Sequence, residues 1–306
     1  MSLMEKEQQL SQLQEQLEQH QDDVARRMQL AHEIKELQEE MYQDLSAWDR
    51  VYLARHPRRP KAQDYLKRLF HTFYELHGDR CYGDDRAIIG GIAMFEQTPV
   101  TVIAQAKGRD LQENMKRNFG MPNPEGYRKA LRLAKEAEKF HRPIITFVDT
   151  SGAYPGKGAE ERGQAEAIAQ CLYTFSDLQT PIICIVLSEG GSGGALALSV
   201  GDRLVMLENA VYSILSPEGF ASILWKDGSR AKEAAEVMKL TAHDLMDKGI
   251  LDAVIEEPLG GAQNDIEAVC ERLRAYIHAS LEELQKAKMP ALLAQRYEKY
   301  RNIGVI

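Results

Sequence analysis

Cysteine is scarce in this chain, with only Cys81, Cys171, Cys184 and Cys270 among 306 residues. No two of them stand at the spacing of a zinc ribbon or a dithiol redox motif, so no zinc or other metal site is expected on this chain. Cys184 lies within Ile182-Ile183-Cys184-Ile185-Val186 and is expected to be a small buried hydrophobe. Long apolar runs are missing too, and none approaches the roughly 20 residues that span a bilayer. The opening, Met1 to Gln9, is polar and acidic, unlike a signal peptide with a basic end and an apolar middle. Positive charge is in deficit, with 38 Lys and Arg against 46 Asp and Glu for a formal net charge of −8. A dedicated nucleic-acid binder carries the opposite balance, so no DNA-binding role is expected. These absences point to a cytoplasmic protein with no membrane role. What is present, 44% hydrophobic and 27% charged residues, suffices for a substantial core in one large domain or two modest ones.

The first stretch, Glu5 to Leu45, contains neither Gly nor Pro and is rich in Gln, Glu and Leu. Leu10, Leu13 and Leu17 form one apolar seam, and Leu30, Ile34, Leu37, Met41 and Leu45 form another. Between them Glu18 to Asp23 is wholly polar, which predicts two helices separated by a turn. The helices pair either as a hairpin on their own domain or with another subunit. A basic connector follows, Arg55-His56-Pro57-Arg58-Arg59-Pro60-Lys61. Its prolines break any helix, and its charges are expected to be solvated, with a phosphate contact as the alternative.

From Ala87 onward the pattern becomes apolar strands alternating with helices. Strands are expected at Ile88–Phe95, Val100–Ala106, Ile144–Val148, Ile182–Leu187, Arg203–Leu207 and Val211–Ile214. Helices are expected at Glu125–Phe140, Glu160–Phe175, Gly193–Val200 and Arg230–Lys239. A final amphipathic helix over Asp265–Lys288 leaves a polar remainder to Ile306. Strands separated by helices define an α/β domain whose chemistry sits on the loops that follow the strands. The chain divides accordingly into an N-terminal helical segment (1–54), a connector and helix (55–86), an α/β domain (87–262) and a helical tail (263–306).

Two loops stand out, each directly after a strongly apolar strand. The first is Asp149-Thr150-Ser151-Gly152-Ala153-Tyr154-Pro155-Gly156, and the second is Ser188-Glu189-Gly190-Gly191-Ser192-Gly193-Gly194-Ala195. Glycines let the backbone approach a ligand closely, and free N–H groups at a helix start favour a developing negative charge. An oxyanion hole needs such donors. The second loop is not a phosphate loop, because no Gly-Lys-Ser/Thr follows, nor does it set Gly-x-Gly-x-x-Gly in a dinucleotide context. It does contain Gly-x-Ser-x-Gly around Ser192. A serine hydrolase would then need His243 or His278, both inside apparent helices. Glycines placed only for helix–sheet packing would explain one such loop less awkwardly than two.

With these loops stand Glu75-Leu76-His77-Gly78-Asp79-Arg80, Arg117-Asn118-Phe119-Gly120-Met121-Pro122 and Pro124-Glu125-Gly126-Tyr127-Arg128-Lys129-Ala130. Further along come Ala159-Glu160-Glu161-Arg162-Gly163-Gln164, Ser216-Pro217-Glu218-Gly219 and Glu257-Pro258-Leu259-Gly260-Gly261-Ala262. In these segments the chain resembles the α subunits of bacterial acetyl-CoA carboxylase carboxyltransferase, from the Ala47-Trp48 region to Ala262. The resemblance implies a crotonase-like spiral of ββα units and the transfer of a carboxyl group from carboxybiotin to acetyl-CoA, giving malonyl-CoA for fatty acid synthesis. It implies biotin borne on a biotin carboxyl carrier protein rather than on this chain. It also implies a β subunit that supplies a zinc ribbon and most of the acetyl-CoA site, usually in an α2β2 assembly. The roles carried over are backbone donation from Gly193 and Gly194 to the ureido oxygen, with Gly152, Ala153, Glu189, Gly190 and Gly191 lining the carboxybiotin side.

Two residues depart from the family pattern: Ser188 stands where a glycine is expected, and Ser151 where proline is common. Lys107, Arg109, Lys116 and Arg117 form a basic cluster read as a solvated face, with contact to CoA phosphates or a carboxylate as the alternative. The eight histidines show no ligand spacing. Competing functions are an acyl-CoA hydratase or hydrolase using Glu160-Glu161 or Glu189, and a noncatalytic assembly subunit organised by the N-terminal helices.

Overall fold

The computed structural model describes residues 3–20 and 23–304. Helices α1 (Leu3–Gln19) and α2 (Val24–Gln43) form an antiparallel hairpin, and Asp23 caps the second by accepting the Arg26 amide. The polar break falls where the sequence places it; residues 21 and 22 lie outside the described residues. Leu10 and Met41 are buried, and Ile34 and Leu37 pack beside them against Leu53 and Tyr52. The two seams therefore close on each other and on the chain's own helix α3 (Ala47–Ala54). Helix α4 (Ala62–Leu69) follows the connector.

Among the described residues one eight-stranded sheet organises the rest. Strands β1 (Phe73–Glu75), β2 (Ile88–Phe95) and β3 (Thr98–Gln105) are antiparallel. Helices α5 (Leu111–Lys116) and α6 (Pro124–Lys139) then lead to β4 (Ile144–Thr150), which runs parallel to β3. Helices α7 (Lys157–Glu161) and α8 (Gln164–Asp177) lead to β5 (Ile182–Gly191), parallel to β4. Helix α9 (Ser192–Leu196) follows β5 without a spacer, then β6 (Arg203–Leu207) and β7 (Val211–Ser213) both pair with β5. Helices α10 (Pro217–Trp225), α11 (Ala231–Met238) and α12 (Ala242–Asp247) precede β8 (Ala253–Ile255), which pairs with β6, and α13 (Ile266–Lys286) and α14 (Met289–Arg301) complete the described chain.

Every residue of β4 is buried, as are the first seven of β5. That matches a parallel sheet covered on both faces by helices. Among the described residues no helix is long and apolar enough to cross a membrane.

Several boundaries differ from expectation. The helix expected over Glu160–Phe175 is two helices, broken at Gly163 with φ +82°. The one expected at Gly193–Val200 stops at Leu196. The polar remainder after α13 is helix α14, anchored by Arg296, which is only 2% exposed. Its guanidinium meets Asp202 at 2.8 Å and donates to the carbonyls of Phe175, Leu178 and Thr180. The basic connector is likewise not a solvated linker. Arg59 is 1% exposed and reaches the centre of the molecule. A charged residue can do this where a carboxylate and carbonyls satisfy its fork of donors.

Candidate active site

Strands β4 and β5 pair in register up to Val148 opposite Val186, and resume at Thr150 opposite Gly190. Two extra residues of β5 are absorbed between these pairs, so the strand bulges over Leu187, Ser188 and Glu189. Bulged carbonyls lose their ladder partners and need replacements. Arg59 supplies them: its Nη2 donates to the Leu187 carbonyl at 2.7 Å, and its Nε to the same oxygen and to Ser188 Oγ, both at 3.1 Å. The other side of the guanidinium meets both oxygens of the fully buried Glu257, at 2.6 and 2.8 Å. Burial disfavours both charges, yet their mutual attraction holds Arg59 above and Glu257 below its ordinary pKa. Ser188, the departure from the family pattern, thus has a partner in the connector.

The bulge aims the second glycine loop. Strand becomes helix at Ser192, which adopts φ +57°, a left-handed conformation uncommon for a residue with a side chain. The amides of the first turn of α9, Ser192 to Gly194, have no acceptor within the helix. Three glycines here are required by contact. A Cβ at Gly190 would stand 2.1 Å from the Tyr212 ring, one at Gly191 2.2 Å from the Ser151 carbonyl, and one at Gly194 2.5 Å from the Ala153 amide. The two loops are therefore packed directly on each other. Gly193 differs: a Cβ there meets nothing closer than Ile168 Cγ2 at 3.6 Å. On the other loop Gly152 has φ +146°, and its amide and carbonyl both bind Thr150 Oγ1, at 3.1 and 2.8 Å.

Charged groups lock the ends of the two strands. Lys107 Nζ lies 3.0 Å from Asp149 Oδ1 and 2.6 Å from Glu189 Oε2. Arg55 Nε meets the other oxygen of Glu189 at 2.8 Å, and its Nη1 meets Glu218 on α10 at 2.7 Å. Burial would push the Glu189 pKa up, but Lys107 and Arg55 outweigh it and hold the carboxyl at about 2. Lys107 is opposed by its own burial and is still raised by Asp149 and Glu189. The solvated-face expectation for this residue is overturned, since its side chain is only 16% exposed. Arg109 and Lys116 do face solvent, with Arg109 paired to Asp64, whereas Arg117 is drawn in against Glu113 and the Arg86 carbonyl.

The structure thus brings Gly152, Ala153, Gly190, Gly191, Gly193 and Gly194 into one place. At the wall of the cleft the Glu189 carboxylate is held by two cations, which leaves it no proton to give near neutrality. Glu160 and Glu161 are exposed on α7. His243 and His278 are each more than half exposed, pair with Glu208 and Glu96, and do not line the cleft beside the glycine loops. Sequence reasoning missed Arg55, Arg59 and Asp149, and with them Tyr127, whose buried hydroxyl has no hydrogen-bond partner and lies 2.8 Å from a Gly194 Cβ position. A cleft of about 40 Å³ runs along Arg55, Ser151, Gly190, Gly191 and Pro217. Among the described residues no group of His, Cys, Asp and Glu is placed to hold a metal ion.

A mixed sheet of this order, with glycine loops abutting at the ends of two parallel strands, defines the crotonase class of fold. Transcarboxylase 12S shares it with a TM-score of 0.61 at 19% identity over 74% of this chain, which spans 42% of that one. A Pseudomonas malonate decarboxylase hetero-tetramer in complex with coenzyme A shares it at 0.60, with 18% identity over 80% of this chain and 92% of the other. The family described as acetyl co-enzyme A carboxylase carboxyltransferase-like matches residues 1–304, and the chain belongs to it. Acetyl-coenzyme A carboxylase carboxyl transferase subunit alpha of Geobacillus thermodenitrificans is 56% identical over 89% of this chain and 84% of its own length. Its counterpart from Listeria monocytogenes is also 56% identical, over 90% and 87%.

Proposed function

We propose that this chain is the carboxyltransferase α subunit of an acetyl-CoA carboxylase and provides the carboxybiotin side of a site completed by a β subunit. Carboxybiotin, borne on the carrier protein, supplies an activated carboxyl group and, once it is lost, a nitrogen that takes the methyl proton of acetyl-CoA. This chain binds and orients. Amides at the start of α9, those of Gly193 and Gly194 foremost, donate to the ureido oxygen where negative charge grows, and Gly152, Ala153, Gly190 and Gly191 shape the cleft. One such donor is worth about 100- to 1,000-fold in rate. The residues fit that group: Gly193 has open space at its Cβ position, and the nearby Glu189 charge is already neutralised by Lys107 and Arg55. The observation that carries the reading is the contact between two glycine loops at the ends of adjacent parallel strands. No general base is needed from this chain.

The β subunit supplies the zinc ribbon and most of the acetyl-CoA site in an α2β2 assembly, in the cytoplasm. The small volume at the glycine loops supports a partner-supplied wall. Segment 87–262 carries the chemistry, with 1–54, 55–86 and 263–306 packed around it as supports. The test is decarboxylation of malonyl-CoA by the reconstituted complex with and without free biotin. Activity that requires biotin and survives Ser192→Ala is expected. Release of free CoA thiol that ignores biotin and vanishes with Ser192→Ala would replace this reading with a serine hydrolase.

A further inference from the structure

We propose that Lys107 is a positioning residue: its ammonium ties the strand ends that carry the two glycine loops and thereby sets the distance between them. The inference rests on the carboxyltransferase reading and adds to it a part for a residue that contacts no substrate. Asp149 sits one residue before the Thr150–Gly190 pair on β4, and Glu189 one residue before it on β5. One largely buried cation joins the two carboxylates: it donates a hydrogen bond to Glu189 at 2.6 Å and makes an ion-pair contact of 3.0 Å with Asp149, whose buried oxygens have no hydrogen-bond partner among the described residues. From Asp149 the constraint passes through Thr150, whose hydroxyl holds Gly152 at both its amide and its carbonyl. From Glu189 it passes straight into Gly190 and Gly191.

The lysine is itself held. A Cβ on Gly120, which has φ +75°, would stand 2.6 Å from Lys107 Cγ and 3.3 Å from the Asp149 carbonyl. The left-handed turn Asn118–Gly120 therefore closes over the lysine stem. Gln63 Nε2 donates to the Lys107 carbonyl at 3.2 Å. The two carboxylates differ in their dependence on it. Glu189 has Arg55 as well, whereas among the described residues Lys107 is the one cation within ion-pair distance of Asp149. Oxyanion donors act where charge develops, so a shift of one loop against the other lowers turnover more than it weakens binding.

The test uses the chain reconstituted with its β partner, following carboxyl transfer from malonyl-CoA to free biotin. Lys107→Met should lower kcat by about 30-fold or more while KM for biotin moves less than about threefold. Because that variant strands the Asp149 charge, Lys107→Met with Asp149→Asn is made beside it. The double variant should regain the wild-type melting temperature and assembly but keep the low kcat. Hydrogen exchange of the isolated chain provides a readout that needs no activity: the amides of 150–153 and 190–194 should exchange faster together in both variants. Wild-type kcat in the double variant, or unchanged exchange in both loops, overturns the proposal. A rise confined to KM for malonyl-CoA overturns it in favour of a phosphate contact. A wild-type complex without biotin-dependent transfer would overturn the carboxyltransferase reading alone, since exchange still decides the role of Lys107.

Discussion

Replacing Arg59 with methionine removes five hydrogen bonds at once: two to the Leu187 carbonyl, one to Ser188 and two to Glu257. Methionine fills much of the space but leaves Glu257 charged in a site where its side chain is 0% exposed. Three other donors remain on that carboxylate, the Asn209 and Ala262 amides and Asn209 Nδ2. They soften the loss without replacing the charge. Removing one member of a buried pair costs about 3–5 kcal/mol, and urea unfolding of the purified chain at pH 7 should show that loss with an unchanged slope. The pH dependence carries a sign. In the wild type the Glu257 pKa is lowered, so the pair contributes stability above the unfolded carboxyl value and loses it as pH falls through the folded one. In the variant burial, the largest influence on this carboxyl, is opposed only by those three donors and raises its pKa, so stability should increase as pH falls from 7 toward 5. Arg59→Met with Glu257→Gln should recover most of the loss. A cost below about 1 kcal/mol with no pH trend would refute the view that this pair supports the β5 bulge.

Three further outcomes are expected. Gly193→Ala should melt within about 0.5 kcal/mol of wild type, because its Cβ position is open, whereas Gly194→Ala pushes on the Ala153 amide and should lower transfer by about 100-fold. Ile34→Asp with Leu37→Asp should loosen the α1–α2 hairpin by roughly 1–3 kcal/mol and open it to protease, with mass by light scattering unchanged; a changed mass would show that the seams also join subunits. Ser188→Gly removes one hydrogen bond to Arg59 and should cost about 1 kcal/mol by thermal melting, with turnover retained.

The strands were legible because they are buried on both faces. Ile182 to Leu187 has no periodicity to misread, and Ile88–Phe95 and Arg203–Leu207 keep the bounds expected for them. Of the three-residue strands, β7 was legible from its apolar start but β1 and β8 were not, since so short an element owes its pairing largely to its neighbours. The glycine loops were legible from composition and position, which locate a close approach but not which atoms approach. Gly194 looks equivalent to Gly193 in sequence, yet only Gly194 is wedged against the other loop. The supporting charges were hidden by a sound general expectation, that lysine and arginine on loops face water. Arg59 and Lys107 break it because their carboxylates, Glu257 and Asp149, lie 198 and 42 residues away in the chain. Helix α14 was hidden likewise: its burial rests on Leu292 and Arg296, and the second reads as a surface residue until Asp202 is placed beneath it.

The central claim is that this chain holds half of a carboxyltransferase site. The most direct measurement is the rate of carboxyl transfer from malonyl-CoA to free biotin by the chain alone, by its β partner alone and by the two together. Negligible transfer by either subunit and full transfer on mixing is the result expected. Full transfer by the isolated chain would contradict it, because a complete site would then lie within these 306 residues.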